Sequence, residues 1–194
     1  DMINYITGTI TELSPAYVIV ETAGIGYFIN ISINTYSKLE NKTSCRIFVH
    51  EVIREDTRQL FGFADVEERN IFRHLISVSG IGANTARMIL SSLTPADLTK
   101  AINEANVNLL KGIKGIGIKT AQRIIVDLKD KVGKQASAAE ILIGEDNTKR
   151  EEALSALVML GFARNAVMKV LDRLISEDKN LTVEELIKRA LKNL

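Results

Sequence analysis

A short glycine-containing segment occurs twice in the chain and constrains the fold more than any other feature. Residues 79–86 read SGIGANTA and residues 114–121 read KGIGIKTA, so the two copies lie 35 residues apart. Each copy stands between two runs with helical periodicity. Glycine is needed where φ is positive or where another group approaches closely, and the isoleucine between the glycines can point back into a core. Each copy therefore predicts a tight turn between two helices.

The helix that follows each turn begins with N–H groups that have no partner inside the helix, and the positive end of the helix dipole lies behind them. Such a helix start binds anions. Two copies at a fixed spacing can hold two phosphates of one strand, or one phosphate on each strand of a duplex. The pattern resembles the helix-hairpin-helix motif of DNA-binding proteins. The expected DNA-binding residues are Gly80, Ile81, Gly82, Ala83, Asn84, Thr85, Gly115, Ile116, Gly117, Ile118, Lys119, Thr120 and Arg123.

Two alternatives to DNA binding apply to these turns. Each copy alone is also compatible with a plain turn between helices. The segment from Gly112 to Gly117 has the glycine spacing of the phosphate loop of nucleotide hydrolases, but Ile118 separates Gly117 from Lys119. The residues before Gly112 are predicted to be helical, whereas a phosphate loop follows a buried strand. We therefore expect no nucleotide hydrolysis by this chain.

The charge distribution favours binding to the DNA backbone. The whole chain has a formal net charge of +1, which is low for a nucleic-acid-binding protein. However, residues 65–132 carry ten basic and seven acidic residues, whereas residues 1–64 carry five basic and seven acidic ones. The positive charge is thus concentrated in the segment that holds both turns. Few side chains are suited to reading bases, so we expect contacts mainly to phosphates.

No cofactor or metal is expected, and the predicted location is the cytoplasm. A single cysteine, Cys45, and two distant histidines, His50 and His74, do not form a zinc-binding pattern. An unpaired cysteine favours a reducing compartment. We see neither an apolar run long enough to span a membrane nor a basic stretch followed by an apolar one at the N-terminus, so no membrane association is expected.

Residues 1–64 predict a small closed β-barrel of the OB type. The five expected strands are 2–13, 17–22, 27–31, 45–53 and 59–63, with a kink at Gly8 and a short helix over 34–40. The barrel's aromatic residues are predicted to be core rather than a DNA-binding face: Tyr5, Tyr17, Tyr27, Phe28, Tyr36, Phe48, Phe61 and Phe63. The loop between strands four and five has two adjacent carboxylates, Glu55 and Asp56, at its tip. On its own, this loop is compatible with an ordinary solvated turn.

Residues 65–132 predict an all-α domain with both helix-hairpin-helix units. Asp65 and Glu68 have the spacing of a capping box, and Pro95 fits the first position of a later helix. The last helix is expected to run from Ile118 to Val132. Residues 133–147 lack a sustained apolar period and predict a flexible linker.

Residues 148–194 predict three short helices, at about 148–160, 164–177 and 183–192. A capping box from Thr182 to Glu185 begins the third helix, and Gly161 ends the first. A Leu-Gly-Phe loop between short helices resembles bundles of the ubiquitin-associated type. Behind a linker, such a bundle is most simply a docking module, and the alternative is a satellite domain packed on the rest.

The ordered set of features resembles the RuvA family of bacterial Holliday-junction-binding proteins over the whole chain. The features are the barrel with Arg54-Glu55-Asp56, the two hairpins, the linker, and residues 156–162, which read ALVMLGF. The resemblance implies a non-catalytic homotetramer or octamer that lays the arms of a four-way junction on one flat face. It implies two partners, the hexameric ATPase RuvB, which moves the DNA, and the nuclease RuvC, which cuts the junction.

The resemblance also implies roles for particular residues. Glu55 and Asp56 correspond to an acidic pin at the junction centre. Leu157, Leu160 and Phe162 are candidates for the face that binds RuvB. The chain departs from some relatives, which have lysine at the positions of Asn84 and Ile118. This difference puts the affinity of each subunit in doubt and leaves Lys119 and Arg123 as the best basic candidates.

Two other functions are compatible with a pair of such hairpins. The first is an enzyme anchored to DNA by them, such as a glycosylase, ligase or nuclease. Such an enzyme needs a lysine nucleophile, a carboxylate cluster or a nucleotide site, and the Glu55-Asp56 pair has no third ligand near it in the sequence. The second is an adaptor with vestigial DNA binding. Nuclease and ATPase assays test the first, and a comparison of junction with duplex binding tests the second.

Overall fold

The computed structural model describes residues 2–140, 145–178 and 181–194. The chain divides into two compact units, Asp1–Ala136 and Ser137–Leu194. The first unit contains the barrel and the helices with both glycine turns, and the second contains the C-terminal helices. Each unit is described separately.

The first unit begins with the predicted OB-type barrel, which the structure confirms. Its strands are β1 (Tyr5–Ser14), β2 (Tyr17–Thr22), β3 (Ile25–Ile31), β4 (Ser44–Ile53) and β5 (Arg58–Phe63), with helix α1 (Ile33–Leu39) between β3 and β4. The strands close in the order β1-β2-β3-β5-β4. Only β3 and β5 pair in parallel, and the other pairs are antiparallel.

Strand β1 closes the barrel because it pairs with two neighbours in succession. Its first half pairs with β4 and its second half with β2, and the two ladders meet at Thr9. A Cβ atom at Gly8 would lie 2.2 Å from the carbonyl oxygen of Glu21. No side chain fits there, so glycine is what allows β1 to bend against β2 at the predicted kink.

The aromatic residues of the barrel divide between core and surface. Phe61 and Phe63 are buried, as predicted. Tyr5 and Phe28 are about half exposed, so the prediction that they lie in the core was wrong. Aromatic enrichment does not distinguish the two faces of a strand. Phe28 instead stacks on Tyr17 at the surface, with ring centroids 4.7 Å apart.

The central helices pack on one end of the barrel. They are α2 (Val66–Ile76), α3 (Ala83–Ser92), α4 (Pro95–Asn103), α5 (Val107–Lys111) and α6 (Ile118–Glu140). Their core is continuous with β5, because Phe72 of α2 stacks against Phe61 and packs against Phe63 with ring centroids 5.3 and 4.9 Å apart. The predicted boundary at residues 64 and 65 is therefore a change of secondary structure within one packed unit.

A buried carboxylate joins the barrel to α2. Asp65 caps the helix as predicted, since its side chain accepts the Glu68 N–H at 2.8 Å. The Glu68 side chain, however, does not complete the predicted capping box. It accepts hydrogen bonds from the hydroxyls of Ser32 and Thr35 at the start of α1. Burial raises the pKa of Glu68, and these two hydrogen bonds oppose the shift.

Helix α6 is longer than predicted. It runs to Glu140 rather than to Val132, although residues 133–140 carry no apolar stripe. Alanine, lysine, glutamine and glutamate dominate this stretch, and their intrinsic helix propensity favours a longer helix than apolar periodicity predicts. The predicted linker over 133–147 stays a prediction, and residues 141–144 lie outside the described part of the chain.

The second unit is a three-helix bundle, as predicted. Its helices are α7 (Glu145–Met159), α8 (Arg164–Glu177) and α9 (Val183–Leu191). The predicted capping box at Thr182 and Glu185 is present. Helix α7 ends in a Schellman motif, in which the Gly161 N–H donates to Val158 at 3.0 Å and the Phe162 N–H donates to Leu157 at 3.2 Å.

Candidate nucleic-acid interface

The two glycine turns have the same backbone conformation. Gly80 has a φ of +92° and Gly115 a φ of +87°, in the left-handed region that favours glycine. The isoleucine after each of them, Ile81 and Ile116, is buried in the core, as the sequence predicts. The internal repeat in the sequence is therefore a repeat in three dimensions.

Each turn leads directly into a helix whose first N–H groups are not used inside the helix. The first N–H donor within α3 is that of Ala86, which donates to Gly82 at 2.9 Å, and Ala121 donates to Gly117 at 2.9 Å at the start of α6. Gly82 is the N-cap of α3 and offers no side chain to the helix start. The preceding N–H groups, including that of Asn84, are thus available to an external acceptor.

Gly82 and Gly117 are not required by the fold itself. Gly82 has a φ of −87°, and Gly117 is not among the residues with positive φ. A Cβ atom built at either position meets nothing within 4 Å. Glycine at these exposed positions therefore leaves room for an outside group, whereas Gly80 and Gly115 satisfy the chain's own geometry.

The two copies differ in charge. The second copy has a cation at three positions where the first has none: Lys114 for Ser79, Lys119 for Asn84 and Arg123 for Met88. Lys114, Lys119 and Arg123 are all exposed. The second turn therefore combines its free N–H groups with basic side chains, and the first turn offers mainly backbone.

Helix α6 also contacts the first turn. The Arg123 Nη1 atom donates to the carbonyl oxygen of Ser79 at 3.1 Å. Two turns further along the same helix, Lys131 Nζ donates to Ser77 Oγ at 3.4 Å. The two glycine turns are thus connected directly as well as through the core beneath them.

The barrel holds the first hairpin from the other side. Arg87 of α3 donates to the Ala16 carbonyl at 3.0 Å and to the Asn30 side chain at 3.1 Å, and burial lowers the pKa of this guanidinium. The side chain of Asn34 caps the last turn of α3 by donating to the Leu93 carbonyl at 3.0 Å. These contacts fix the position of α3 relative to the barrel.

The acidic loop between β4 and β5 projects from the barrel. The Arg54 N–H donates to the Thr57 carbonyl at 2.8 Å, which closes the loop, and Glu55 and Asp56 at its tip are exposed. At its base, Arg58 Nε lies 2.5 Å from the carboxylate of Glu51, whose side chain is only 3% exposed. This ion pair anchors the loop and leaves its two carboxylates in solvent.

The C-terminal bundle presents an apolar surface at the end of α7. Leu160 is 61% exposed and Met159 is 86% exposed. Leu157, a predicted partner-binding residue, is fully buried in the bundle core, because it lies on the inward face of α7. It is therefore not on a surface that a partner could touch. Phe162 is half-buried against the same core.

The structure contributes no metal or membrane site within its described residues. Residues 2–140, 145–178 and 181–194 contain no group of three or more His, Cys, Asp or Glu side chains able to hold a metal ion. No helix in these ranges is long and apolar enough to cross a membrane. Burial lowers the pKa values of His50 and His74 and raises that of the Cys45 thiol.

Sequence reasoning missed several residues of the candidate surfaces. Ser79 and Lys131 make the contacts between α6 and the first turn, and no periodicity connects positions so far apart in the chain. Met159 was missed on the bundle, although its place next to Leu160 before a glycine that ends a helix was a usable signal. The predicted DNA-binding side chains Asn84, Ile118 and Lys119 all lie exposed at the two helix starts.

Three protein-family models match successive parts of the chain. Residues 2–62 match the RuvA N terminal domain, residues 72–130 match the SAM-like helix-hairpin-helix tandem, and residues 148–194 match the RuvA C-terminal domain. Together they cover most of the chain and correspond to the barrel, the helices with the glycine turns and the C-terminal bundle.

Full-length relatives show the same similarity. A protein of Bacteroides thetaiotaomicron is 51% identical over 201 residues, and one of Christiangramia forsetii is 48% identical over 193 residues. A third, from Porphyromonas gingivalis, is 47% identical over 202 residues. Each alignment covers 100% of both proteins, and each relative is named Holliday junction branch migration complex subunit RuvA.

Proposed function

Because the chain belongs to the RuvA family, we propose that it binds four-way DNA junctions through its two glycine turns. The observation that carries this proposal is the matched pair of helix starts. Both follow a glycine with positive φ, both leave N–H groups unused, and both have open space at Gly82 or Gly117. An extended polyanion is the ligand that suits two such starts held in one rigid unit.

Binding of this kind does not depend on base sequence. Backbone N–H groups and the side chains of Lys119 and Arg123 contact phosphates, and phosphates carry no direct sequence information. Specificity must then come from the shape of the DNA. A four-way junction offers several backbones that diverge from one point, which suits a symmetric assembly of copies, and we propose a homotetramer or an octamer.

The acidic loops give such an assembly a means to favour the junction over duplex. If the loops of several copies meet near the symmetry axis, Glu55 and Asp56 repel the phosphates at the crossover. This repulsion keeps the strands apart at the centre while the glycine turns hold the arms outside it. The junction is then held open and square, so its strands can exchange.

The chain acts in this proposal as the non-catalytic subunit of a branch migration complex. The C-terminal bundle recruits the RuvB ATPase through the apolar surface that includes Met159 and Leu160. RuvB supplies the energy from ATP. The nuclease RuvC, which the family resemblance adds as a partner, cuts the junction.

A band-shift comparison tests the DNA-binding proposal. The purified chain is titrated with a labelled four-way junction and with a linear duplex of the same length and composition, at several salt concentrations. We expect tighter binding to the junction and no dependence on its sequence. If about eight phosphates are neutralised per complex, the logarithm of the binding constant should fall with the logarithm of salt with a slope of about −7.

Two results would contradict the proposal. Equal affinity for junction and duplex would remove the structure specificity and favour an adaptor. An affinity that does not change with salt would exclude recognition through phosphates. Nuclease and ATPase assays on the same preparation complete the comparison, because activity in the chain alone would favour the enzyme alternative.

A further inference from the structure

We infer that Arg123 is a positioning residue. It lies on α6, the helix that follows the second glycine turn, and it fixes the orientation of the first glycine turn, so it couples the two phosphate-binding turns. The inference rests on the proposed function and deepens it. The Arg123 side chain is what holds the first glycine turn in a fixed position relative to the second.

The contact falls on the peptide that leads into Gly80, the residue of the first turn with positive φ. Arg123 Nη1 donates to the Ser79 carbonyl at 3.1 Å, and the next residue is Gly80 with its φ of +92°. A peptide unit is planar, so fixing its carbonyl also fixes the direction of the Gly80 N–H. The guanidinium therefore acts on the orientation of the turn itself.

The internal repeat shows that this contact is not reciprocal. Met88 occupies the position in α3 that Arg123 occupies in α6. A methionine has no donor, so the first hairpin cannot make the same hydrogen bond to the second. The first hairpin makes no equivalent contact with the second turn. The hydrogen bond from Arg123 therefore acts in one direction only, from the second hairpin to the first turn.

Arg123 also brings a positive charge to the first turn at a place where the first copy has neutral residues. Ser79, Asn84 and Met88 are neutral where the second copy has lysine or arginine. Arginine has five N–H donors in a rigid fork, and a single bond to Ser79 leaves the others for a phosphate. Arg123 therefore serves the first phosphate-binding turn as well, although in the sequence it belongs to the second copy of the repeat.

Hydrogen exchange on the DNA-free, full-length protein tests the positioning role without relying on DNA binding. The two turns provide matched reporters, because Ile81 N–H donates to Val78 at 3.1 Å and Ile116 N–H donates to Ile113 at 3.0 Å. Arg123→Gln should speed exchange at Ile81 by about three- to ten-fold and leave Ile116 unchanged. The control Lys119→Gln removes one charge from the same helix and should change neither.

A double-mutant cycle on junction binding tests the coupling. Arg123→Gln should be more strongly non-additive with Gly82→Asp in the first turn than with Gly117→Asp in the second. Arg123→Gln should cost less affinity in the chain that carries Gly82→Asp than in the parent, and a smaller loss should remain because Arg123 also contacts phosphate in the second copy.

Three outcomes would overturn the inference. Unchanged exchange at Ile81 would show that Arg123 does not set the first turn, even if the protein binds junctions normally. Faster exchange at both turns would show a general loss of stability rather than positioning. Additive effects with Gly82→Asp would show that the contact has no role in binding. If the parent protein binds no DNA, the proposed function fails, and the exchange experiment still decides whether Arg123 positions the turn.

Discussion

The four glycines of the two turns serve two different purposes at the scale of single residues. Gly80 and Gly115 are fixed by their positive φ values, which a side chain would strain. Gly82 and Gly117 have ordinary backbone geometry and open space around the missing Cβ. Substitutions at Gly82 or Gly117 should therefore separate DNA binding from folding, and substitutions at Gly80 or Gly115 should not.

Gly82→Asp should weaken DNA binding without weakening the fold. Aspartate is a good N-cap, so the free energy of unfolding should stay the same or rise by about 0.5 kcal/mol. Its carboxylate would occupy the place of a phosphate and repel it, so affinity for a junction should fall by about ten-fold or more. Thermal unfolding and band shifts on the same preparations measure the two effects.

Gly82→Ser is the matched control for this substitution. Serine also caps a helix but adds no charge. The Gly82→Ser variant should therefore be as stable as the parent and should lose less affinity for DNA than the aspartate variant, because its hydroxyl competes with phosphate for only one N–H group. Equal affinity of the parent and the aspartate variant would show that phosphate does not bind at this helix start.

Most elements were predictable because their signals are local. Runs rich in β-branched and aromatic residues between turn signals identified the strands, and caps such as Asp65 and Thr182 identified helix starts. The end of α6 was not predictable from apolar periodicity, because residues 133–140 have no apolar stripe and their helical signal is intrinsic propensity. The partners of Glu68 were missed for another reason, since Ser32 and Thr35 lie more than thirty residues away in the chain.

The candidate site was predictable to the same degree. The repeat located both turns and both helix starts, since the motif is contiguous in each copy. The hydrogen bond from Arg123 to Ser79 spans 44 residues and depends on how α6 packs. Burial was the other limit, because the sequence alone did not show that Leu157 points into the bundle while Leu160 faces solvent.

The apolar surface at the end of α7, which includes Met159 and Leu160, should bind RuvB. Leu160→Asp should leave junction binding unchanged and abolish stimulation of RuvB, because it places a charge in an apolar contact. Leu160 is largely exposed, so the bundle should still fold. Deletion of residues 137–194, at the boundary between the compact units, should have the same effect. ATPase and branch-migration assays with RuvB measure the stimulation.

Leu191→Asp is the matched control, since it changes an exposed leucine of the same bundle on another helix. It should stimulate RuvB as well as the parent does. Equal losses in both variants would show that the contact is not specific to the end of α7. Loss of junction binding in the truncated chain would make the bundle part of the DNA-binding surface.

Charge is arranged across the whole molecule in a way that net charge conceals. The segment with the glycine turns is basic, whereas the barrel is acidic and carries two exposed carboxylates at the tip of a loop. Arg58 pairs with Glu51 at the base of that loop, so it does not neutralise the tip. A protein that binds DNA gains no affinity from exposed carboxylates near phosphates, which suggests that this loop contributes to selectivity.

Glu55→Gln combined with Asp56→Asn should therefore exchange selectivity for affinity. The double variant should bind a four-way junction at least as tightly as the parent and should bind linear duplex more tightly, because a repulsive contribution is gone. The ratio of junction to duplex affinity should fall. Salt screens the repulsion, so the difference between the proteins should shrink as ionic strength rises. Titrations of both DNA forms across a salt series measure these quantities.

A second double variant separates the position of the charges from their number. Glu21→Gln with Glu40→Gln removes two exposed carboxylates from the same barrel but not from the loop. It changes the net charge by the same amount, so it should raise affinity for both DNA forms slightly and leave their ratio unchanged. If the loop variant behaves like this control, position has no effect and the loop is an ordinary turn. If the loop variant binds the junction more weakly than the parent, the carboxylates contribute to binding and their proposed repulsive role is wrong.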